Sequence, residues 1–396
     1  MAEKERMIYL DNSATTEICP EAKEKMLEAI NCFGNPSSLH SAGLEAEKML
    51  SDARENVLRT LGVRVRKPDD AKRLIFTSCG TEASSLAIFG TAYAKRRRDA
   101  NRILTTDSEH PSVENAMQRL ETDGFEVIRI PTRGGALDMD ALRKALDSKS
   151  KVLMASFMMV NNETGALYDV KNAFAEIRAA YPDVITHCDA VQGYLKTRFT
   201  PAGIGADLVT LSGHKVHAPK GIGALYVNPE LLRAKKIVPF LVGGGQESGM
   251  RSGTENMIGI AGFGAAAGAV YDRLDETVKE MEYLRKYTLE RLAQLDVTLN
   301  IPSGECAPHI INLTLPDIKS ETMLHYLSSA GICVSSGSAC SSHSSHPSRS
   351  LSAFGLTPHA ADCSLRVSFS EFNTVSDCDS FCNILAQGIS SLVRTR

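Results

Sequence analysis

With 396 residues the chain is long enough for two domains and a large core, and its formal net charge of −3 gives no electrostatic footprint for a nucleic-acid or membrane-surface binder. Ten cysteines are too sparse for a secreted disulfide scaffold, and Met1 to Arg6 lacks the apolar core of a signal peptide. The expectation is a cytoplasmic protein with reduced thiols, no membrane contact and no direct nucleic-acid partner.

Helix-like and strand-like segments alternate along the chain, which places it in the α/β class. Met7 to Leu10 reads as a small strand, followed by polar Asp11-Asn12-Ser13-Ala14-Thr15-Thr16 and a helix opened by Pro20. Gly34 to Ser38 is a loop, and His40 leads into a long amphipathic helix towards Leu61. A series with one repeated logic comes next. The strand Leu74 to Phe76 ends in Thr77-Ser78-Cys79-Gly80-Thr81-Glu82 before a helix over Ala83 to Ala94, whose basic end Lys95 to Arg98 offsets the helix dipole. Ile103 to Thr105 ends in Ser108-Glu109-His110-Pro111, and Val127 to Ile130 leads to a helix from Asp138. Val152 to Phe157 ends in Asn161-Asn162-Glu163, and Val184 to Cys188 ends in Asp189-Ala190-Val191-Gln192. Leu208 to Leu211 ends in Ser212-Gly213-His214-Lys215. Ligands of an open α/β sheet bind outside the carboxyl ends of its strands, so these polar tips are predicted to share one site.

A lysine just past a strand end, flanked by Ser and His, suits a Schiff base with pyridoxal phosphate (PLP). Lys215 is that lysine, against the alternative of an ordinary surface loop. Asp189 is a natural partner for the ring N–H, or else a helix cap. Ser78 to Thr81, with Gly80, offers backbone N–H groups and a hydroxyl to a phosphate, or merely caps a helix. His110 would lie over the ring and relay protons, and Asn162 and Gln192 would reach the phenolic oxygen. The choice of Asn162 over Asn161 follows from alternation along the chain.

Gly243 to Thr254 is a glycine-rich polar loop able to approach a ligand or a second subunit. Helices over Met257 to Leu274 and Glu276 to Leu295, a strand over His309 to Leu315, a helix from Ser320 and a strand over Ile332 to Val334 make a second, smaller α+β module. Its Ser-rich stretch, residues 335–348, is read as mobile and carries Cys340 as a nucleophile. The competing metal site of Cys340, His343 and His346 lacks a fourth ligand, so no metal is expected beyond a transient contact at Cys340. The strand Ser364 to Phe369 carries Arg366, suited to bidentate capture of a carboxylate or else to a surface salt bridge.

Together these pieces resemble the cysteine desulfurases of the NifS/IscS type, within the class V aminotransferase-like PLP enzymes. The resemblance runs from Tyr9-Leu10-Asp11-Asn12-Ser13-Ala14-Thr15-Thr16 to Arg366 and is carried by Ser212-Gly213-His214-Lys215, Gly249-Met250-Arg251-Ser252-Gly253-Thr254 and Ser335-Ser336-Gly337-Ser338-Ala339-Cys340. It implies the PLP transferase fold type I, with a large, mainly parallel-sheet domain over residues 16–268 and a small domain over 1–15 and 269–396. It implies that Thr81, Ser212 and His214 hold the phosphate, helped by Thr254 from the other subunit of a homodimer. Arg366 and Asn35 would hold the substrate carboxylate.

The implied reaction turns L-cysteine into L-alanine and leaves a persulfide on Cys340 for a sulfur-acceptor or scaffold protein, serving iron–sulfur clusters or the thiolation of tRNA or a cofactor. Selenocysteine lyase, aminotransferase and a catalytically silent scaffold are the alternative readings. The chain departs from the family pattern at Cys79 in the phosphate cup, at Ser248 where an arginine is common, and at His343 and His346.

Overall fold

The structure is a computed structural model describing residues 7–94, 100–147, 150–337 and 348–394. Cys340, His343 and His346, and the basic run Lys95 to Arg98, lie outside the described residues. In chain order the strands are β1 (Ile8–Tyr9), β2 (Leu74–Thr77), β3 (Arg102–Thr106), β4 (Glu126–Ile130), β5 (Val152–Met158), β6 (Ile185–Asp189) and β7 (Leu208–Ser212). They continue with β8 (Gly223–Val227), β9 (Thr298–Leu299), β10 (Ile310–Thr314), β11 (Ile332–Cys333), β12 (Ser335–Ser336) and β13 (Ser364–Ser368).

Seven strands form one sheet in the order β2-β8-β7-β6-β5-β3-β4. Only β8 runs antiparallel to its neighbours. The other six therefore deliver their carboxyl ends to one edge, which is how a chain of strand–turn–helix units gathers its polar tips. Buried helices cover the sheet, and β7 and β8 are buried along their whole length. The helices Pro20–Asn31 and Ser41–Thr60 pack against Met257–Asp272. A Cβ on Gly264 would lie 2.5 Å from the Ala53 Cα, so glycine is what allows that approach.

The second unit is a four-stranded sheet, β12-β13-β10-β9, covered by the helices Leu274–Leu292, Ser320–Ser329 and Val375–Ser391. It has its own apolar core, in which Leu10 joins residues between Met281 and Ile389. The N-terminal strand β1 pairs with β11 of this unit, and Asp11 bridges to Ser368. The chain then crosses to the large sheet's carboxyl edge.

Element starts follow local chemistry. Asp138 caps Met139–Leu146 by accepting from the Ala141 N–H, and Asn256 caps Met257–Asp272 through Gly259. Among the described residues, the short helices Pro68–Ala71, Pro229–Arg233, Arg349–Phe354 and Pro358–Asp362 and two longer ones stand outside the sequence-based expectation, although both longer ones carry readable caps. Asp169 opens Val170–Ala180, and Thr374 with Asp377 forms a reciprocal capping box at Val375–Ser391. The helix after β2 spans Gly80–Ala92 rather than starting at Ala83, because Gly80 and Thr81 already form its first turn. No helix among the described residues is long and apolar enough to cross a membrane.

Candidate active site

The carboxyl edge of the large sheet opens into a cavity of about 310 Å³, within the range of small-ligand sites, roughly 300–1,000 Å³. Gly80 and Thr81 line it after β2, His110 after β3, Asn162 after β5, Asp189 and Gln192 at the end of β6, and Ser212, His214 and Lys215 at the end of β7. Arg366 reaches it from β13 of the small sheet, and Ser13, Ala14 and Cys79 complete this part of the wall.

Lys215 projects its amine into this space. Its Nζ donates to the carbonyls of Ser13 at 2.6 Å and Ala14 at 2.7 Å, while Gln192 also donates to the Ser13 carbonyl. A second amine lies behind it. The buried Lys196 donates to the Lys215 carbonyl at 2.8 Å, and burial, then the Lys215 charge, pull its pKa down to about 7.

Asp189 is buried and accepts from the Val191 N–H at 3.0 Å. Burial pushes its carboxyl up to about 6, while that hydrogen bond and the Lys215 charge pull the other way. Its neighbours make it the acid of this wall that ionises first. Glu109 is buried, accepts from the Thr106 hydroxyl and the Met158 N–H, and is pushed up to about 8 by burial, with the Asp189 charge adding to the effect. His187, one side-chain step before Asp189 on β6, sits between the Ser156 and Thr210 hydroxyls and is driven down to about 3 by burial. It is therefore neutral.

His110 accepts from the Ser112 N–H through Nδ1, which assigns its ring proton to Nε2. Burial and the Lys215 charge lower it to about 4, so it is an uncharged imidazole at neutral pH. His214 meets the Thr15 hydroxyl through Nδ1 and is likewise lowered to about 4, chiefly by burial. At the cup, Cys79 makes no side-chain cap to the helix Gly80–Ala92, so no such cap covers the N–H groups of its first turn. A Cβ on Gly223 would lie 2.6 Å from the Cys79 carbonyl carbon, so glycine lets β8 pass beside the cup. Cys79 thus alters the cup's lining without changing its backbone donors.

Of the two asparagines, Asn161 is spent on the turn. Its Oδ1 accepts from the N–H groups of Glu163 and Thr164, and its amide donates to the Ser108 carbonyl, while Asn162 lines the cavity. Arg366 is 2% exposed, far from a surface salt bridge. It donates to the Asn162 carbonyl at 3.0 Å and to Asp11 at 2.8 Å. Next to it, buried Glu163 accepts from the Ser348 hydroxyl and is pushed up to about 7 by burial.

Two expected residues do not line this cavity. Asn35 is exposed and accepts from the Ser37 N–H within its own turn. Thr254 is exposed on the glycine-rich loop, which is held to its own chain by Arg54 gripping Glu247 and by Arg251 pairing with Glu82. Ser248 adopts φ +58° beside Glu247 at φ +51°, a left-handed pair that turns the loop. Among the described residues no group of three or more His, Cys, Asp or Glu side chains is placed to hold a metal ion. Asp11, Glu109, Glu163 and Lys196 were not singled out from the sequence. Only Glu109 and Glu163 carried a signal, each standing next to a strand-end residue that was.

The class-V aminotransferase family model matches residues 8–381. The chain belongs to that family. Within it, the chain is 37% identical over 391 residues to a cysteine desulfurase of Trichormus azollae, covering 98% of this chain and 94% of that one. A solved NifS-like protein superposes with a TM-score of 0.89 at 31% identity, covering 98% of this chain and 100% of the other. A structure of SspA in complex with cysteine superposes with a TM-score of 0.76 at 27% identity, covering 92% and 99%. The family's NifS/IscS-type cysteine desulfurases are thus the group to which this chain belongs, and its fold is theirs: PLP transferase fold type I.

Proposed function

We propose that this chain is a PLP-dependent cysteine desulfurase, converting L-cysteine to L-alanine and leaving sulfur as a persulfide on Cys340. The observation that carries the reading is the meeting of the Lys215 amine and the Asp189 carboxylate in one cavity, in a chain whose relatives are cysteine desulfurases over nearly its full length. The donor set fits the cofactor: an amine for its aldehyde, a buried carboxylate for its ring nitrogen, and a helix N-terminus without a side-chain cap for its phosphate.

Lys215 would carry PLP, with Gly80, Thr81, Ser212 and His214 on the phosphate and Asn162 and Gln192 on the ring oxygen. When bound, PLP supplies the electron sink for charge developing at the substrate Cα. The Asp189 carboxylate would hold the ring proton, and the neutral His110 would offer its Nε2 proton. Lys215 Nζ would move the Cα proton. Arg366 would hold the substrate carboxylate. The Cys340 thiolate would attack the substrate sulfur. The bond between that sulfur and Cβ breaks, its electron pair stays with carbon, and a proton there completes alanine.

A homodimer is part of the reading, with Thr254, exposed on its loop, directed to the partner's phosphate site. So are a sulfur-acceptor protein and a cytoplasmic setting, which the nine free thiols among the described residues support. A division into 16–268 and 1–15 with 269–396 is supported by the core that Leu10 shares with residues between Met281 and Ile389, while Val270, Ala307 and Ile310 pack into the core of the large sheet. Mass spectrometry after incubation with L-cysteine should find added sulfur on the peptide containing Cys340, with one alanine formed per sulfur released. A Cys340→Ala protein that forms persulfide and alanine at the parent rate would overturn the assignment.

A further inference from the structure

The strap Asp11–Ala14 holds the two side chains read as serving the two ends of the substrate, Arg366 and Lys215. At one end the Asp11 carboxylate takes the Arg366 Nη2 at 2.8 Å, and at the other the Ser13 and Ala14 carbonyls hold the Lys215 amine at 2.6 and 2.7 Å. The strap is itself a closed turn, because the Ala14 N–H donates to the Asp11 carbonyl at 2.9 Å. A guanidinium has five N–H donors. Asp11 and the Asn162 carbonyl take one each, and the Nε, buried and on a residue that lines the cavity, has no acceptor among the described residues. Arg366 is thus fixed by two acceptors with its buried Nε left unmatched, which is how a site prepared for one more anionic oxygen is built.

We propose that Asp11 is a positioning residue for the substrate carboxylate: it fixes the Arg366 guanidinium, and through the turn behind it sets that guanidinium at a constant spacing from the Lys215 amine. The inference rests on the reading of Arg366 as the carboxylate holder. Asp11 itself does not touch substrate. It acts by restricting a long side chain that would otherwise spend binding energy on being ordered.

The test compares two amines on the cofactor-loaded enzyme, L-alanine, which has a carboxylate, and ethylamine, which lacks one. Binding is followed at equilibrium through the cofactor's absorbance. In Asp11→Ala the dissociation constant for L-alanine should rise about tenfold, which corresponds to about 1.4 kcal/mol, while that for ethylamine stays within about twofold of the parent. Asp11→Asn keeps an acceptor for Nη2 and should restore L-alanine binding to within about threefold. The KM for L-cysteine should follow the L-alanine constant, with kcat much less changed. If the alanine variant does not fold, Asp11→Ser takes its place. Equal weakening of both amines, no weakening of either, or an asparagine variant as impaired as the alanine one would overturn the role of Asp11. Arg366→Lys separates the two levels. If that substitution weakens L-alanine and ethylamine equally, or weakens neither, the carboxylate reading of Arg366 falls. If it weakens L-alanine selectively and Asp11→Ala does not, only the inference about Asp11 falls.

Discussion

The two walls of the cavity are built in different ways. The cofactor wall, with His110, Asp189 and Lys215, is assembled from strand ends of a single sheet, each residue a few positions beyond a buried run. The carboxylate wall, with Arg366, Asp11 and Glu163, is assembled from three distant parts of the chain through one strand of another sheet. In that sheet Arg366 pairs with Asn312 on one side and Ser335 on the other. The first wall has a local origin and is stiff because the sheet is stiff. The second depends on long-range pairing, and its polar groups are satisfied by one another: Asp11 on Arg366, Ser348 on Glu163, Asn312 on the Glu163 carbonyl. A change in the first should therefore be felt by the cofactor, and a change in the second by the substrate or by stability.

The largest effect that sharpens this contrast is expected at the cofactor wall. Asp189→Asn removes the charge facing the ring nitrogen while keeping the shape and an acceptor for the Val191 N–H. Turnover should fall by on the order of 10²-fold or more, with weaker cofactor retention on equilibrium dialysis. An enzyme with parent turnover and retention would remove the distinction between the walls.

At the carboxylate wall a smaller and different effect is expected. Glu163 is raised from 4.5 to about 7 on folding, mainly by burial. Between those values the folded state holds a proton that the unfolded state has lost. Its contribution therefore makes the protein less stable as pH rises through that window, and adds no further slope above it. The slope has a ceiling of about 1.4 kcal/mol per pH unit. In Glu163→Gln, denaturant unfolding of the cofactor-free protein should lose this part of the pH dependence and gain stability relative to the parent at pH 8. A parent and a variant whose stabilities run parallel from pH 4.5 to pH 7 would show that Glu163 is ionised in the fold throughout.

The same contrast explains what could be read in the sequence. The alternation of strands and helices, the parallel sheet and the turn residues at strand ends are written within windows of a dozen residues, so Asp189, Asn162 and Lys215 were visible as one set. Arg366 was visible as a lone arginine in a strand, but its partner Asp11 lies on the far side of the chain, 355 positions away. Glu163 and Ser348 are 185 positions apart, and no local pattern joins them. Lys196 was hidden for another reason: a lysine in a helical turn reads as a surface residue, and only packing against the Lys215 carbonyl makes it buried.

That second buried amine also sets the most direct test. Borohydride reduction of the cofactor-loaded protein, followed by proteolysis and mass spectrometry, fixes the cofactor to the nitrogen that held it. The pyridoxyl mass should appear on the peptide containing Lys215 and on no other. A mark on Lys196 or on a lysine away from the cavity, or a protein that binds the cofactor and takes no mark, would contradict a site organised around the end of β7.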